Sequence, residues 1–263
     1  LEPAADLQLN AIEDGRRDGA PLVFLHGFGA SAGVWSDIQR SLAGNNATIA
    51  YDLPGHGGSA LGANLARTGK MAGAITADIT RRGFDKVHLV GHSMGGAVAT
   101  LIALRTPHLI ASMTLLAPGG YGPEINHRLL RRYASAKTPA EILAALENMF
   151  GWNSKVPENL VDDLFARRGA PGAIDGLNSI LDSMLRREGD DFYQGMFSRS
   201  ELATLPMPVK VLWGTQDRVL PTRQAHRLPP MFAAHVFENT GHMLIEERTD
   251  AVIRLIEQNM RAA

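Results

Sequence analysis

The chain has 263 residues, 26 of them Lys or Arg and 27 Asp or Glu, for a net charge of −1. With 45% hydrophobic and 20% charged residues it can bury the core of one large domain, which excludes a disordered segment, and its charge balance offers no electrostatic footprint for a nucleic-acid partner. Cysteine is absent, which excludes disulfides, thiolate metal sites and a cysteine nucleophile together and fits a reducing cytoplasm.

No uninterrupted apolar stretch is long enough to cross a bilayer, so no membrane partner is expected. The opening Leu1-Glu2-Pro3-Ala4-Ala5 lacks the layout of a signal peptide, and the missing initiator Met is what a processed or excised piece of a longer chain would show. The expected location is cytoplasmic.

From about Leu7 to Ala117, short apolar runs alternate with segments of helix length. Strands are predicted at Leu22 to Leu25, Ala47 to Asp52, Val87 to Val90 and Met113 to Leu116. Runs of this length, apolar on both faces, are typical of parallel strands covered by helices. Between them Val34 to Leu42, Leu65 to Arg82 and Ala97 to Arg105 read as helices. The alternation predicts a parallel, doubly wound sheet.

From Pro118 to about Leu205 only helices are expected. Thr138-Pro139-Ala140-Glu141 combines an N-cap Thr, a Pro in the first turn and a Glu three residues on, a capping box leading into Ile142, Leu143, Leu146, Met149 and Phe150. Further helices are predicted from Pro157 to Arg168 and from Ile174 to Arg187. The mixed-sign charges read as solvated helix faces, with the arginines near Arg131 and Arg167 as the alternative, an anion site. Alternation then resumes with a strand at Val209 to Trp213, a helix at Thr222 to Leu228 and a strand at Ala234 to Phe237. Thr249-Asp250 caps a last helix bearing Val252, Ile253, Leu255, Ile256 and Met260 at helical spacing. A helical block between two α/β halves is an insertion at one strand–helix connection.

The strongest local signal is Gly91-His92-Ser93-Met94-Gly95-Gly96, directly after a predicted strand and before an Ala-rich helix. This is G-x-S-x-G in strand–turn–helix context. A nucleophile on so sharp a turn takes strained backbone angles, and Gly91 and Gly95 must lack side chains because the chain nearly touches itself there. A serine hydroxyl needs a base. Among nine histidines, His26, His56 and His92 sit in Gly-rich loops or in the turn itself, where they stabilise locally. His242, after the last strand and before the last helix, falls at the edge where parallel strands end. The base needs an acid to hold its tautomer. Asp217 follows the Val209 to Trp213 strand, its structural alternative being an Asx turn or a bridge to Arg218, whereas Asp52 reads as a loop-ordering carboxylate. The oxyanion donors would be the backbone N–H groups of Met94 and Phe28, in His26-Gly27-Phe28-Gly29. Gly62 to Lys70 fails as a phosphate loop on spacing, His88 and His92 do not share a helix face and fail as a metal pair, and Asn46-Ala47-Thr48 reads as a chance sequon. No metal is expected.

These residues together resemble the α/β-hydrolase superfamily, in its serine-nucleophile branch. The resemblance implies an α/β fold with an eight-stranded, mostly parallel sheet flanked by helices. It divides the chain into a core of residues 1–117 and 206–263 and an all-helical cap of residues 118–205, inserted after the sixth strand. It also implies an acyl-enzyme mechanism without a cofactor, with Ser93, His242 and Asp217 as triad. Ser at position 93 argues against the dehalogenase and epoxide hydrolase branches.

Ala117-Pro118-Gly119-Gly120-Tyr121-Gly122-Pro123-Glu124-Ile125-Asn126, with Val161-Asp162-Asp163-Leu164, is similar to the α/β-hydrolase-like E2 component of acetoin dehydrogenase complexes. That version implies a lipoyl-linked acyl acceptor and dehydrogenase subunits as partners. Ser-Met-Gly-Gly also resembles carbon–carbon bond hydrolases, which usually show Asn where this chain has His92. The expected activity is hydrolysis of an ester, thioester or related acyl bond of a small molecule. Trp35, Tyr121, Trp152 and Met243, with the side chains of Phe28 and Met94, are expected to line the pocket. The competing expectation is a catalytically silent module that binds in the cap cleft.

Overall fold

The computed structural model of the protein describes residues 9–16, 19–62 and 66–263. The opening Leu1 to Ala5 and the predicted helix start at Leu65 lie outside the described residues.

Strands β1 (Ala11–Asp14), β2 (Leu22–Leu25), β3 (Thr48–Tyr51), β4 (Val87–His92) and β5 (Ile110–Leu116) alternate with helices α1 (Ser36–Leu42), α2 (Thr68–Arg81) and α3 (Met94–Arg105). The segment that follows carries α4 (His127–Ser135), α5 (Pro139–Leu146), α6 (Glu158–Arg168), α7 (Ala173–Met184), a hairpin of β6 (Leu185–Glu188) and β7 (Asp191–Gln194), and α8 (Arg199–Leu202). The chain then returns through β8 (Val209–Gly214), a 3-10 helix (Thr222–Arg227) and β9 (Ala233–Phe237) to α9 (Leu244–Glu247) and α10 (Thr249–Met260).

Seven strands form the main sheet in the order β1-β3-β2-β4-β5-β8-β9. All neighbours pair in parallel except β1 with β3. β2 and β3 are buried along their whole length, and β4 as well, because helices cover both faces. α2 and α3 pack together on one side and α1 with α10 on the other. From β2 the chain winds first outward to β3 and then back across to β4, so the sheet reverses direction between β2 and β4. Ligands of open α/β sheets bind at such a reversal, beyond the carboxyl ends of the strands.

Among the described residues the main sheet holds seven strands, mostly parallel as the resemblance implied, and the inserted segment follows the fifth of these. That segment is not all helical. The predicted helix from Ile174 ends at Met184, and Leu185 to Gln194 folds as an antiparallel hairpin with Arg186 opposite Tyr193. Gly189, at φ 63°, supplies the left-handed residue of its two-residue turn. Gly189-Asp190 between two short segments was the available signal for it.

The expected capping box is present. Thr138 Oγ1 accepts the Glu141 N–H at 3.2 Å, and Glu141 Oε2 accepts the Thr138 N–H at 3.1 Å. α5 thereby starts at a defined point and buries Ile142, Ala145 and Leu146, while Leu143 faces outward at 38% exposure. No helix among the described residues is long and apolar enough to cross a membrane.

Candidate active site

Four chain segments meet at the carboxyl ends of the strands. The sharpest is the exit of β4. Ser93 has φ 52° and ψ −116°, a region that L-residues seldom occupy and that persists only where the surroundings enforce it. They do so here. The Ser93 N–H donates to Leu116 O at 2.9 Å, and its carbonyl accepts from Gly96 and Gly119 N–H, each at 2.9 Å. A Cβ on Gly91 would lie 2.6 Å from Gly95 O, and one on Gly95 would lie 2.2 Å from Leu25 O. Two glycines are therefore steric requirements of the turn. Met94 begins α3, where an N–H has no intrahelical acceptor and is free to face a developing negative charge.

The loop after β2 lies against this turn. A Cβ on Gly27 would sit 3.3 Å from Ser93 Cβ, so the approach needs glycine, and Phe28 follows at the edge of the same space. His26 holds the loop. Its Nδ1–H donates to Gly27 O at 2.7 Å while Nε2 accepts the Leu53 N–H at 3.0 Å. Both ring nitrogens are thus occupied in the neutral form, and burial pushes the pKa down to about 4. His56 does likewise, accepting the Gly29 N–H at 3.0 Å, with burial lowering it to about 3.

Asp52 completes this layer. Its oxygens accept from Ala32 N–H at 2.6 Å, Gly58 N–H at 2.7 Å and Asn10 Nδ2 at 2.7 Å. Burial would raise the Asp52 pKa, but these donors outweigh it and the net shift is downward. The expectation that it orders the loop agrees with this geometry.

The third and fourth segments are the loop between β8 and β9, which carries Asp217, and the loop between β9 and α9, which carries His242. Among the described residues His242 is the one histidine with a carboxylate at its ring, its Nδ1 lying 2.8 Å from Asp217 Oδ2. Donating from Nδ1 leaves Nε2 unprotonated. Asp217 forms an Asx turn as well as this contact. Oδ1 accepts the N–H groups of Val219 and Leu220, both at 2.8 Å, and Oδ2 takes His242 together with Trp213 Nε1 at 3.1 Å. Arg218 turns away and donates to the carbonyls of Glu147 and Phe150. Trp213 was read only as a strand residue; the need of a buried indole N–H for a partner is the signal that could have found its role.

Ser93 and His242 line one chamber of about 30 Å³, together with Gly27, Phe28, His92 and Glu246. Ser93 and Phe28 also line a second, larger chamber of about 270 Å³, bounded by Met94, Gly120, Gln194 and Phe197. The candidate nucleophile therefore stands between a small compartment and a large one.

Among the pocket expectations, Met243 lines the small chamber. Trp35 does not reach either chamber. It is fully buried in the core, its ring 5.1 Å from that of Phe24, because the 3-10 turn of Ala32–Trp35 points it at the sheet. Trp152 is 73% exposed on a turn after α5, outside both chambers. Tyr121 stands one layer behind, edge-on to Phe197, with its hydroxyl 3.0 Å from Thr100 Oγ1. Arg131 and Arg167 pair with Asp182 and Asp163 within the cap, which answers the anion-site alternative with ordinary ion pairs. His88 bonds Ser112 at 2.7 Å and is separated in role from His92. Glu246, Gln194 and Arg186 line the chambers without having been singled out in the sequence, where a charged or amide residue in a cap or a terminal turn reads as solvated surface.

Comparison with known proteins identifies the family and the fold. The sequence model described as “Alpha/beta hydrolase family” matches residues 22–255. A dihydrolipoyllysine-residue acetyltransferase component of the acetoin cleaving system from Cupriavidus necator is 29% identical over 97% of this chain. The protein of the same description from Pseudomonas putida is 30% identical over 93%. The match spans 68% of the first relative's length and 64% of the second's. A crystal structure of the meta-cleavage product hydrolase CumD superposes with a TM-score of 0.84 over 97% of this chain and 95% of that one, at 23% identity, a likeness of fold alone.

Proposed function

Because this chain belongs to the alpha/beta hydrolase family, we propose that it is a serine acyl hydrolase acting through Ser93, His242 and Asp217. The observation that carries this reading is the buried Asp217–His242 contact opening onto the chamber that also holds the strained Ser93. Ser93 Oγ attacks the acyl carbonyl as its proton passes to His242 Nε2. A C–O bond forms, and the Met94 and Phe28 N–H groups receive the oxyanion. Collapse breaks the bond to the leaving group, which takes the proton from His242. Water then repeats the sequence and frees the acid. Asp217 keeps the ring in the tautomer that can accept at Nε2 and stabilises the imidazolium. Each oxyanion donor supplies about 2.7–4 kcal/mol to the transition state. No step calls on a metal or cofactor.

A second reading, favoured by the two acetyltransferase-component relatives, replaces water with a thiol as acyl acceptor. It carries with it a lipoyl-linked acceptor and dehydrogenase subunits as partners. The test is covalent labelling by a fluorophosphonate together with turnover of an activated short-chain ester. Labelling at Ser93, and loss of both signals in Ser93→Ala, support the proposal; an unlabelled Ser93 in a folded protein returns the chain to the silent-module reading. Transfer from an acetyl ester to dihydrolipoamide at a rate above hydrolysis selects the thiol version.

A further inference from the structure

Among the described polar side chains that line the small chamber beside Ser93, one has a buried atom with no hydrogen-bond partner. Glu246 lies four residues beyond His242, in α9, and shares the chamber wall with His92, Ser93 and His242. Much of the remaining wall is hydrocarbon, from Leu146, Met149, Leu160 and Leu164. Glu246 Oε2 is buried there without a hydrogen-bond partner. Its neighbour Glu247 is the opposite case. That carboxylate accepts from Gly241 N–H, Gly151 N–H and Ser154 Oγ, at 2.9, 2.9 and 2.6 Å, and ties the His242 loop to the cap. Holding the fold is therefore the work of Glu247, and Glu246, half-buried in the chamber wall, is left with a buried oxygen that has no partner within the protein. Buried polar atoms are nearly always satisfied, so an orphan beside a candidate nucleophile points to a partner brought by the ligand.

Several titratable groups surround Glu246. They are His92 from the elbow, His242 from its own loop, Tyr133 from α4 and Glu247 next in the chain; among the described residues no Lys or Arg lines the chamber. Burial pushes its carboxyl up to about 8, and Glu247 adds in the same direction. At neutral pH it is an acid that can donate as well as accept. The chamber is small. One water needs about 10–15 Å³ of such volume, so it holds on the order of two further atoms. The larger chamber is the more open and gives a leaving group its way out, so the closed one receives the arm that stays on Ser93.

Resting on the acyl reading above, we propose that Glu246 determines specificity by hydrogen-bonding an oxygen on a short acyl arm, so that the substrates are short hydroxyacyl or ketoacyl compounds and not plain alkanoyl ones. The test compares kcat/KM for 4-nitrophenyl esters of hydroxyacetic and propanoic acid, a near-isosteric pair, each corrected for its hydroxide-catalysed rate. Wild-type protein is expected to favour the hydroxyacetyl ester by about tenfold, the worth of one neutral hydrogen bond. Glu246→Leu should erase or invert that ratio and Glu246→Gln should keep it. The wild-type ratio should change as pH rises through 8 while that of Glu246→Gln stays level. An identical ratio in wild type and Glu246→Leu, with fluorophosphonate labelling of Ser93 intact, overturns the role of Glu246 alone. Absence of labelling and turnover in the wild type overturns the acyl reading and this assignment together.

Discussion

The ring of His92 donates its Nε2–H to the carbonyl oxygen of His242 at 2.9 Å, across 150 residues of sequence. Nε2 is the donor because a carbonyl only accepts. The residue preceding the candidate nucleophile thus fixes the backbone of the candidate base, and the two rings lie 4.9 Å apart. Burial, with the charge of His242 beside it, pushes the His92 pKa down to about 3, so the contact stays a neutral hydrogen bond across the working range.

Breaking that contact should loosen the base. His92→Phe fills the space but strands the His242 carbonyl, a loss of about 1–3 kcal/mol in stability. His92→Gln can keep a donor and should recover part of both stability and ester turnover. Denaturant midpoints alongside kcat would show it; equal losses in the two variants would mean that the hydrogen bond contributes nothing.

The double duty of Asp217 separates chemistry from folding. Asp217→Asn can still accept from Val219 and Leu220 with its amide oxygen, but its NH2 group would face His242 Nδ1 and force the proton to Nε2. Turnover should fall by about 10⁴ with little change in melting temperature. Asp217→Ala also removes the turn and should lower the melting temperature. Comparable activity in Asp217→Asn and wild type would exclude the carboxylate from the mechanism.

Acid should destabilise the protein well above the carboxylate range. His26, His56 and His92 titrate at about 4, 3 and 3 in the folded state against 6.5 for the free side chain, each lowered chiefly by burial. Between pH 6.5 and 4 the unfolded chain binds the extra protons, so stability rises with pH across that window and is lost on acidification. Glu246, raised to about 8, acts in the opposite sense from its usual 4.5 upward, but one carboxyl faces three imidazoles. A urea midpoint that stays flat from pH 6.5 to 4.5 would contradict these assignments, and His56→Gln should reduce the slope.

Glycine substitutions should divide sharply by position. Gly95→Ala drives a Cβ to 2.2 Å from Leu25 O at the rigid centre of the fold and should cost more than about 4 kcal/mol or prevent folding. Gly73, on the exposed face of α2, has nothing within 4 Å of its added Cβ. Gly73→Ala should stabilise by about 0.5–1 kcal/mol, since Ala is the better helix former. Thermal melts of the two variants check both signs.

Local rules sufficed for much of this molecule. A fully buried strand such as β2 carries an unbroken apolar run because helices press on both faces, and that pattern is visible in four residues. The capping box at Thr138 and the glycines around Ser93 are likewise statements about neighbouring atoms, readable where the chain folds onto itself. The hairpin at Leu185 to Gln194 escaped because its strands carry Arg186, Arg187 and Glu188, charges that resemble an exposed helix face.

Distance along the chain marks where the sequence stopped speaking. That Asp217 divides its oxygens between a turn and His242, that His92 braces a backbone 150 residues away, and that Glu246 lies uncompensated beside Ser93 are all properties of packing. Trp35 and Trp152 make the same point from the other side. Their sequence neighbourhoods gave no hint that one would be fully buried and the other 73% exposed. A side chain's type announces what it can bond, whereas the balance of burial and available partners, set only when the sheet and cap close, decides whether it titrates, supports or binds.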